Sequence, residues 1–153
     1  MKKIIVGSIL VLLLAGCLTY STSLNQSKPN ISSKKDISQV VINGQAVKVE
    51  VAVSREERYR GLSNRKSLPQ DQGMLFIFSD YAVRSFWMNE MLIPLDIIWI
   101  KDSTIVGLEY SVDTPPPLVS YHSPEPVNYV LEVNAGWAKS YSITTGDTVK
   151  YIR

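Results

Sequence analysis

The chain has 153 residues, about the size of one domain, with 45% hydrophobic and 20% charged residues. This composition can form a hydrophobic core and excludes disorder along the whole chain. One Cys and one His exclude an internal disulfide and the usual Cys/His zinc sites. A net charge of +2 is too small to indicate a nucleic-acid-binding surface. The sequence therefore predicts no metal, no cofactor and no nucleic-acid partner.

The first residues have the order of a bacterial secretory signal. Lys2-Lys3 supplies a positive start, and residues 4–14 form an apolar run, shorter than the roughly 20 residues of a permanent membrane-spanning helix. Leu14-Ala15-Gly16-Cys17 then resembles the bacterial lipobox, which implies a diacylglyceryl group on the cysteine and cleavage before it. We expect residues 1–16 to be a lipoprotein signal peptide. An ordinary signal peptide with a chance cysteine, or an uncleaved anchor, are the alternatives.

On this interpretation the mature protein is extracytoplasmic and is lipid-anchored to a bacterial membrane through Cys17, because two acyl chains suffice for stable anchoring. Residues 18–37 are rich in Ser, Thr, Asn, Gln and Lys without apolar periodicity. Residues 17–37 are thus predicted to be a lipidated cysteine and a flexible tether, with a root-mean-square span of roughly 25 Å. A surface-docked arm using Ile31 and Ile37 is the alternative.

Residues 38–153 have the pattern of a small β domain. Val47–Val53 alternates apolar and polar residues, and Ser54–Glu57 forms a capping box that begins a short helix ending near Leu62. Strands are predicted at 39–43, 47–53, 74–78, 85–88, 95–100, 104–112, 129–133 and 148–152, with a helical turn at 135–141. Long helices between strands are missing, so we predict a mainly β fold, a compact antiparallel β-barrel or sandwich-like domain with two short helical segments.

Familiar catalytic signatures are absent from this domain. The chain has no glycine-rich phosphate-binding loop and no GxSxG nucleophile turn. His122 is expected to be exposed in a loop, and Pro115–Pro117 to form a stiff loop. Gly61 and Gly73 are expected to serve turns.

Residues 60–96 resemble the uncharacterised DUF192 family, also known as UPF0127. The matching positions are Gly61, Leu62, Arg65, Leu68, Pro69, Gly73–Phe76, Phe86–Met88, Ile93–Asp96, Tyr129–Glu132, Ala135–Ala138 and Gly146-Asp147. The sequence departs from the family pattern at Ser63 and Asn89-Glu90. The resemblance implies a compact β-barrel-like fold, often secreted or lipid-anchored, and no established activity, cofactor or substrate.

Four residues form the candidate polar site. Asp96 and Glu132 interrupt apolar strands, Arg65 is the nearby cation of the motif, and Trp87 is its aromatic residue. An ionised carboxylate among apolar neighbours needs a cation or several N–H donors. We therefore expect Asp96 to be buried, ionised and held by Arg65 or by backbone N–H groups. A structural ion pair or backbone contact, a polar ligand site and a catalytic carboxylate pair all remain open.

Three functions are compatible with these residues. The first is a membrane-tethered binding or accessory module of the cell envelope, in which Arg65, Trp87 and Asp96 bind a small polar or carbohydrate-like ligand. The second is a hydrolase that uses Asp96 with Glu132, or Glu90, as acid and base. The third is an interaction platform for an envelope protein, formed by the Pro115–Pro117 loop and Tyr121. The first is the leading interpretation, and we lean against enzymatic activity.

Overall fold

Residues 34–113 and 119–153 are described by a computed structural model of the chain, and within them nine strands and two short helices form a mainly β structure. The strands are β1 (Gln39–Ile42), β2 (Gln45–Ala52), β3 (Gln72–Ala82), β4 (Ser85–Trp87), β5 (Leu95–Lys101), β6 (Thr104–Val112), β7 (Ser120–His122), β8 (Val127–Asn134) and β9 (Val149–Ile152). The helices are α1 (Arg55–Arg60) and α2 (Trp137–Ser140). The predicted signal peptide, Cys17, residues 17–33 of the predicted tether and the Pro115–Pro117 loop lie outside the described residues.

Seven of the strands form one curled sheet in the order β6-β5-β8-β3-β2-β1-β9. At one end the two edges of the sheet meet. The N–H of Ile105 donates to the carbonyl of Asp147 at 3.0 Å, and the N–H of Val149 donates to the carbonyl of Ser103 at 2.8 Å. The sheet is therefore a half-barrel, and the mainly β prediction with two short helices is confirmed.

One strand pair departs from the expected antiparallel arrangement. β2 and β3 are parallel, whereas the other paired strands of the described residues are antiparallel. A parallel pair needs a crossover connection rather than a tight turn, and α1 lies in that connection. The predicted capping box begins α1: the Glu57 N–H donates to Ser54 Oγ at 3.0 Å, and the Ser54 N–H donates to Glu57 Oε2 at 2.9 Å. Gly61 ends the helix with a φ of +49°, so the turn predicted there is confirmed.

The central strands β3, β5 and β8 bury both of their faces. Successive side chains of a strand point to opposite faces, so each strand contributes to two hydrophobic clusters. On the α2 face, the apolar side chains of the sheet pack with Trp137 and Ala138 of α2. On the opposite face, they pack with Leu62, which lies just after α1, and with Met88, which lies just after β4. This second face carries the site described below, and we term it the pocket face.

The packed region begins before residue 38. Ile37 is 6% exposed and belongs to the cluster on the α2 face. Lys35 Nζ lies 3.0 Å from Glu57 Oε1, and Lys34 Nζ lies 4.7 Å from the centroid of the Tyr129 ring. The described end of the predicted tether therefore docks on the domain, because its one large apolar side chain completes the core. Ile31 lies outside the described residues.

Two further local expectations differ from the structure. His122 is exposed as predicted, but it lies in β7, which pairs with β4 in a separate two-stranded sheet. Gly73 lies inside β3 instead of in a turn. A Cβ added there would be 2.5 Å from the backbone oxygen of Glu132, so this glycine allows β8 to approach β3 closely.

No helix within residues 34–113 and 119–153 is both long enough and apolar enough to cross a membrane.

Candidate functional site

Asp96 is fully buried and its carboxylate is satisfied by the backbone. Oδ1 accepts hydrogen bonds from the N–H groups of Ser111 at 2.7 Å and Gly136 at 3.0 Å, and Oδ2 accepts one from Ala138 at 2.8 Å. An ionised carboxylate only accepts hydrogen bonds, and three N–H donors are the environment that such a group needs when buried. The expected burial of Asp96 and its backbone partners are therefore seen in the structure.

These three hydrogen bonds join separate parts of the fold. The β5–β6 pairing shifts register between Leu95 and Ile97, and Ser111, with a φ of +51°, lies in the resulting irregularity. Gly136 precedes α2 and offers no side chain to cap it. Asp96 supplies the acceptor that the first N–H groups of α2 otherwise lack. It therefore has a structural role, since both of its oxygens accept hydrogen bonds from the backbone and its side chain is fully buried.

Arg65 does not contact Asp96, so the expectation that Arg65 holds this carboxylate is wrong. Its guanidinium forms a two-bond ion pair with Glu50 on β2: Nη1 donates to Oε1, and Nη2 donates to Oε2 at 2.7 Å. Glu50 pairs with Met74 in the sheet, and Met74 belongs to the pocket face, whereas Asp96 belongs to the α2 face. The hydrogen bonds with Glu50 raise the pKa of Arg65 and lower that of Glu50.

Asp96 and Glu132 lie on adjacent strands but on opposite faces of the sheet. Val133 is the register partner of Asp96, and Ile97 is the register partner of Glu132. Because neighbouring positions alternate between faces, the two carboxyl groups cannot serve one cleft. The catalytic pair of Asp96 with Glu132 is therefore excluded by the sheet itself.

Glu90, the other carboxylate considered for that pair, is exposed at the surface. One of its carboxylate oxygens accepts a hydrogen bond from Asn64 Nδ2 at 2.9 Å. Tyr121 was expected at an interaction surface, but it is half-buried and packs against the pocket-face core. Neither residue adds a catalytic group to Glu132.

Glu132 is the one predicted site residue that is buried, polar and without a partner. It is 5% exposed, and its carboxyl makes no hydrogen bond or ion pair with another residue of the described chain. Burial raises the pKa of Glu132 from 4.5 to about 8. The group is thus a neutral carboxylic acid at neutral pH, with one O–H donor and a carbonyl acceptor.

A cavity of about 300 Å³ opens beside Glu132 on the pocket face. Its floor includes Phe76 and Phe86, whose rings meet edge to face with centroids 4.8 Å apart. Its full lining is Arg55, Arg58, Tyr59, Arg60, Gly61, Leu62, Ser63, Phe76, Phe78, Ser85, Phe86, Trp87, Met91 and Glu132. We term this cavity the Glu132 pocket.

The mouth of the Glu132 pocket is aromatic and exposed. Tyr59 is 72% exposed and Trp87 is 51% exposed, and their ring centroids lie 6.3 Å apart in an edge-to-face arrangement. A second cavity of about 200 Å³ is also lined by Tyr59, Arg60 and Trp87, and it extends toward Glu90. Trp87, predicted from the sequence as a site residue, therefore lies between two adjoining cavities.

Three arginines of α1 line the Glu132 pocket, and they differ in whether hydrogen bonds hold their guanidinium groups. Arg58 is held in place: Nη1 donates to the carbonyls of Val53 and Ile77, and its guanidinium lies 4.8 Å from the centroid of the Phe78 ring. Desolvation lowers the pKa of Arg58. Arg55 and Arg60 are exposed and form no ion pair with the rest of the described chain. The charge of Arg60 lies near Glu50 and helps to lower the pKa of that carboxyl. Neither guanidinium is held by a hydrogen bond to another described residue, so both can turn toward an anion.

The arginines and Tyr59 were not identified as site residues from the sequence. They lie on α1, whereas Glu132 lies on β8, more than seventy positions later. The available signal was the composition of α1 itself: its six residues, REERYR, bury none of their side chains. A short helix with three arginines and an exposed tyrosine presents these side chains at the protein surface.

Comparison with known proteins identifies the relatives of this domain. Residues 38–151 match the family model DUF192, described as an uncharacterized ACR. The chain belongs to the DUF192 family. The DUF192 resemblance noted in the sequence is thereby confirmed. No curated protein matches the chain.

Two solved structures share this DUF192 fold. One is a candidate transcription regulator from Sinorhizobium meliloti 1021, 34% identical, with a TM-score of 0.69; the match covers 74% of this chain and 92% of that one. The other is a protein of unknown function from Novosphingobium aromaticivorans DSM 12444, 29% identical, with a TM-score of 0.71, covering 74% of this chain and 84% of that one. This DUF192 domain therefore comes from a family whose function is not established.

Proposed function

We propose that this chain is a lipid-anchored domain of the bacterial cell envelope that binds a small polar ligand in the Glu132 pocket. The observation that carries the proposal is the Glu132 carboxyl, 5% exposed and without a partner in the described chain, beside an open cavity of about 300 Å³. A binding module is favoured over a hydrolase, because the described lining has Glu132 as its one carboxyl and no histidine to activate the hydroxyls of Ser63 and Ser85.

The carboxyl oxygens of Glu132 reach the cavity without a partner in the described chain. Within the described residues, Trp99 Nε1 is the only side-chain N or O atom that is both wholly buried and unpartnered, so the Glu132 oxygens remain accessible from the cavity. Glu132 could be replaced by an apolar residue if its position served packing alone, since its neighbours Met74 and Ile97 in the sheet are apolar. A polar ligand in the cavity can therefore form hydrogen bonds with this carboxyl.

The shape and lining of the pocket also fit a ligand site. A volume of about 300 Å³ lies at the lower end of small-molecule pockets, roughly 300–1,000 Å³. Apolar walls with a few polar groups are the usual composition of such sites. Phe76, Phe86 and Met91 supply the apolar walls, and Glu132 supplies the polar group at depth.

The membrane anchor is supported by the sequence. The order of Lys2-Lys3, the apolar run at 4–14 and the lipobox-like Leu14-Ala15-Gly16-Cys17 favours lipidation of Cys17. The polar residues that follow would hold the domain close to the membrane surface. The ligand is then a molecule met outside the cytoplasm.

The ligand-binding role is tested by thermal unfolding of the full chain in detergent, in the presence of a panel of sugars, amino acids, organic acids and nucleotides. A ligand present at one hundred times its dissociation constant stabilises the folded state by about 2.7 kcal/mol, so a binder raises the melting temperature by several degrees. The same compound should have little effect on Glu132→Gln. A panel that shifts neither protein, or shifts both equally, would contradict binding in this pocket.

The anchor is tested by mass spectrometry of the membrane fraction. Wild-type protein should begin at Cys17 and carry a diacylglyceryl mass, whereas Cys17→Ser should accumulate with residues 1–16 attached. Ser21→Ala is the matched control, a hydroxyl change in the predicted tether that should leave processing intact. A wild-type protein found with Met1 intact and no lipid would overturn this part of the proposal.

A further inference from the structure

We infer that the ligand of the Glu132 pocket is an acidic sugar, a sugar ring that carries a carboxylate or phosphate group. This inference rests on the proposed function and specifies its ligand class. It follows from three layers of the pocket: free guanidinium groups at the mouth, exposed aromatic rings beside them, and an unpartnered carboxyl at the base.

The mouth favours an anion. Arg55 and Arg60 line the pocket with exposed guanidinium groups that form no salt bridge within the described chain, although the charge of Arg60 lies near that of Glu50. Arg58 adds a third positive charge, fixed by its bonds to the carbonyls of Val53 and Ile77. Guanidinium groups bind carboxylate and phosphate through paired N–H···O bonds. A cationic ligand would be repelled from the same entrance.

The walls favour a ring with an apolar face. Tyr59 and Trp87 present exposed rings with centroids 6.3 Å apart in an edge-to-face arrangement, so their planes meet at a corner. The C–H face of a sugar ring is apolar, while its rim carries hydroxyl groups. Such a ring can place its C–H face on one aromatic surface and still keep its hydroxyl groups free to bind.

The base favours hydroxyl groups. A carboxylic acid both donates and accepts, which matches a hydroxyl, since a hydroxyl does the same. A carboxyl without charge also does not repel an anion held at the mouth, whereas an ionised one would. Glu132 is the least exposed polar residue of the lining, at 5%, so the hydroxyl rim would point toward it and the acidic group toward the exposed Arg55 and Arg60.

The test is a titration of the full chain in detergent, followed by tryptophan fluorescence. Trp87 is 51% exposed, whereas Trp99 and Trp137 are 0% and 5% exposed, so a signal change on binding reports mainly on the pocket mouth. The probes are glucuronate and glucose 6-phosphate as acidic sugars, glucose as the neutral sugar, and lactate as an acid without a ring.

We expect at least one acidic sugar to bind about tenfold or more tightly than both glucose and lactate, since one charge-assisted hydrogen bond is worth about that factor. Arg60→Gln and Glu132→Gln should each weaken that binding about tenfold. Arg153→Gln is the matched control, an exposed arginine at the chain end outside the pocket lining, and should leave the affinity unchanged. The two acidic sugars distinguish a carboxylate from a phosphate ligand.

Several outcomes would overturn the ligand class. If glucose binds as tightly as the acidic sugars, the arginines do not bind the acidic group. If lactate binds as tightly as the acidic sugars, the sugar ring does not contribute to binding. Binding that survives both Arg60→Gln and Glu132→Gln would lie outside the pocket. If no probe binds but another compound stabilises wild type and not Glu132→Gln, the ligand class is wrong and the binding role stands. If no compound does so, both fail.

Discussion

Two buried carboxyl groups on neighbouring strands differ in the hydrogen bonds that they form with the rest of the molecule. Asp96 on β5 is 0% exposed and accepts three backbone N–H groups from β6 and the start of α2. Glu132 on β8 is 5% exposed and has no partner within the described chain. One faces α2, and the other faces a cavity. Burial alone therefore does not separate a structural acid from a site acid, whereas hydrogen-bond satisfaction does.

The difference has a physical origin in the sheet. The two residues lie one position out of register on paired strands, so their side chains point to opposite faces of the sheet. Asp96 contacts the free N–H groups at the start of α2. Glu132 lines a cavity together with side chains of α1 and β4. A helix start is rich in donors, so it stabilises a carboxylate. No donor of the described chain forms a hydrogen bond with Glu132, so burial raises the pKa of this carboxyl and it keeps its proton.

The largest effect is expected from removing the satisfied acid. Asp96→Ala should lower the free energy of unfolding by about 3–5 kcal/mol, because it leaves three buried N–H groups without an acceptor. Asp96→Asn should cost less, about 2–3 kcal/mol, since the amide keeps one acceptor oxygen. Urea denaturation at neutral pH measures both. If Asp96→Ala lowers the free energy of unfolding by less than about 1 kcal/mol, the hydrogen bonds of Asp96 contribute little to stability, and its structural role is contradicted.

The raised pKa of Glu132 should make the free energy of unfolding depend on pH. The unfolded chain releases this proton near the ordinary pKa of 4.5, and the folded chain retains it up to about 8. Stability therefore falls as the pH rises through that window, by at most about 1.4 kcal/mol per pH unit and about 5 kcal/mol over the whole window. Below the window both states are protonated, and above it both are ionised, so the effect stops at each end.

Glu132→Gln isolates this contribution. The difference in unfolding free energy between the variant and wild type should grow in favour of the variant from pH 5 to pH 8, because glutamine has no proton to lose. Chemical denaturation at four pH values gives this difference, in which other titrating groups cancel. A difference that stays constant across the window would mean that Glu132 is ionised in the folded protein.

A smaller effect is expected from the glycine beside Glu132. Gly73→Ala places a Cβ 2.5 Å from the backbone oxygen of Glu132, so β3 and β8 must separate. Such overpacking costs about 1–3 kcal/mol. Because the carboxyl itself is untouched, the pH dependence described above should persist in this variant. If Gly73→Ala is as stable as wild type, β3 and β8 can separate at little cost in free energy, and the expected overpacking is wrong.

The smallest effect is expected at Arg65. Its side chain is 33% exposed and that of Glu50 is 54% exposed, so solvent screens the pair and Arg65→Gln should cost under about 1 kcal/mol. A double-mutant cycle with Glu50→Gln should show a coupling energy. A cycle with Asp96→Asn should show none, because Arg65 and Asp96 lie on different faces. Coupling between Arg65 and Asp96 would contradict the observed pairing.

Local features of the fold were predictable where the chain specifies them by itself. The alternation at Val47–Val53 predicted β2, and Ser54 with Glu57 predicted the start of α1. The parallel pairing of β2 with β3 was not predictable, because it depends on where the crossover after α1 returns the chain. β7 was missed since three residues, Ser120–His122, carry too little periodicity to separate a strand from a loop.

For the candidate site, the unusual residues were predictable from the sequence, and their arrangement was not. Asp96 and Glu132 stood out as acids in apolar strands, and both are buried. Their roles depend on which face each one occupies and on what lies opposite, which is set by strand register and by α2. Arg60 and Tyr59 reach the pocket only through the tertiary fold. Sequence spacing therefore identified the unusual residues, while long-range packing decided their partners.

The pairing of the first strand with the last has a consequence for the order of folding. β9 pairs with β1, and the segment before it bonds to β6, so the half-barrel closes only when residues 146–152 are present. Contacts this distant in sequence form slowly. If the chain follows the proposed secretory route, a chain still passing through the membrane would lack its closing strand, and the half-barrel would be completed only after residues 146–152 had crossed.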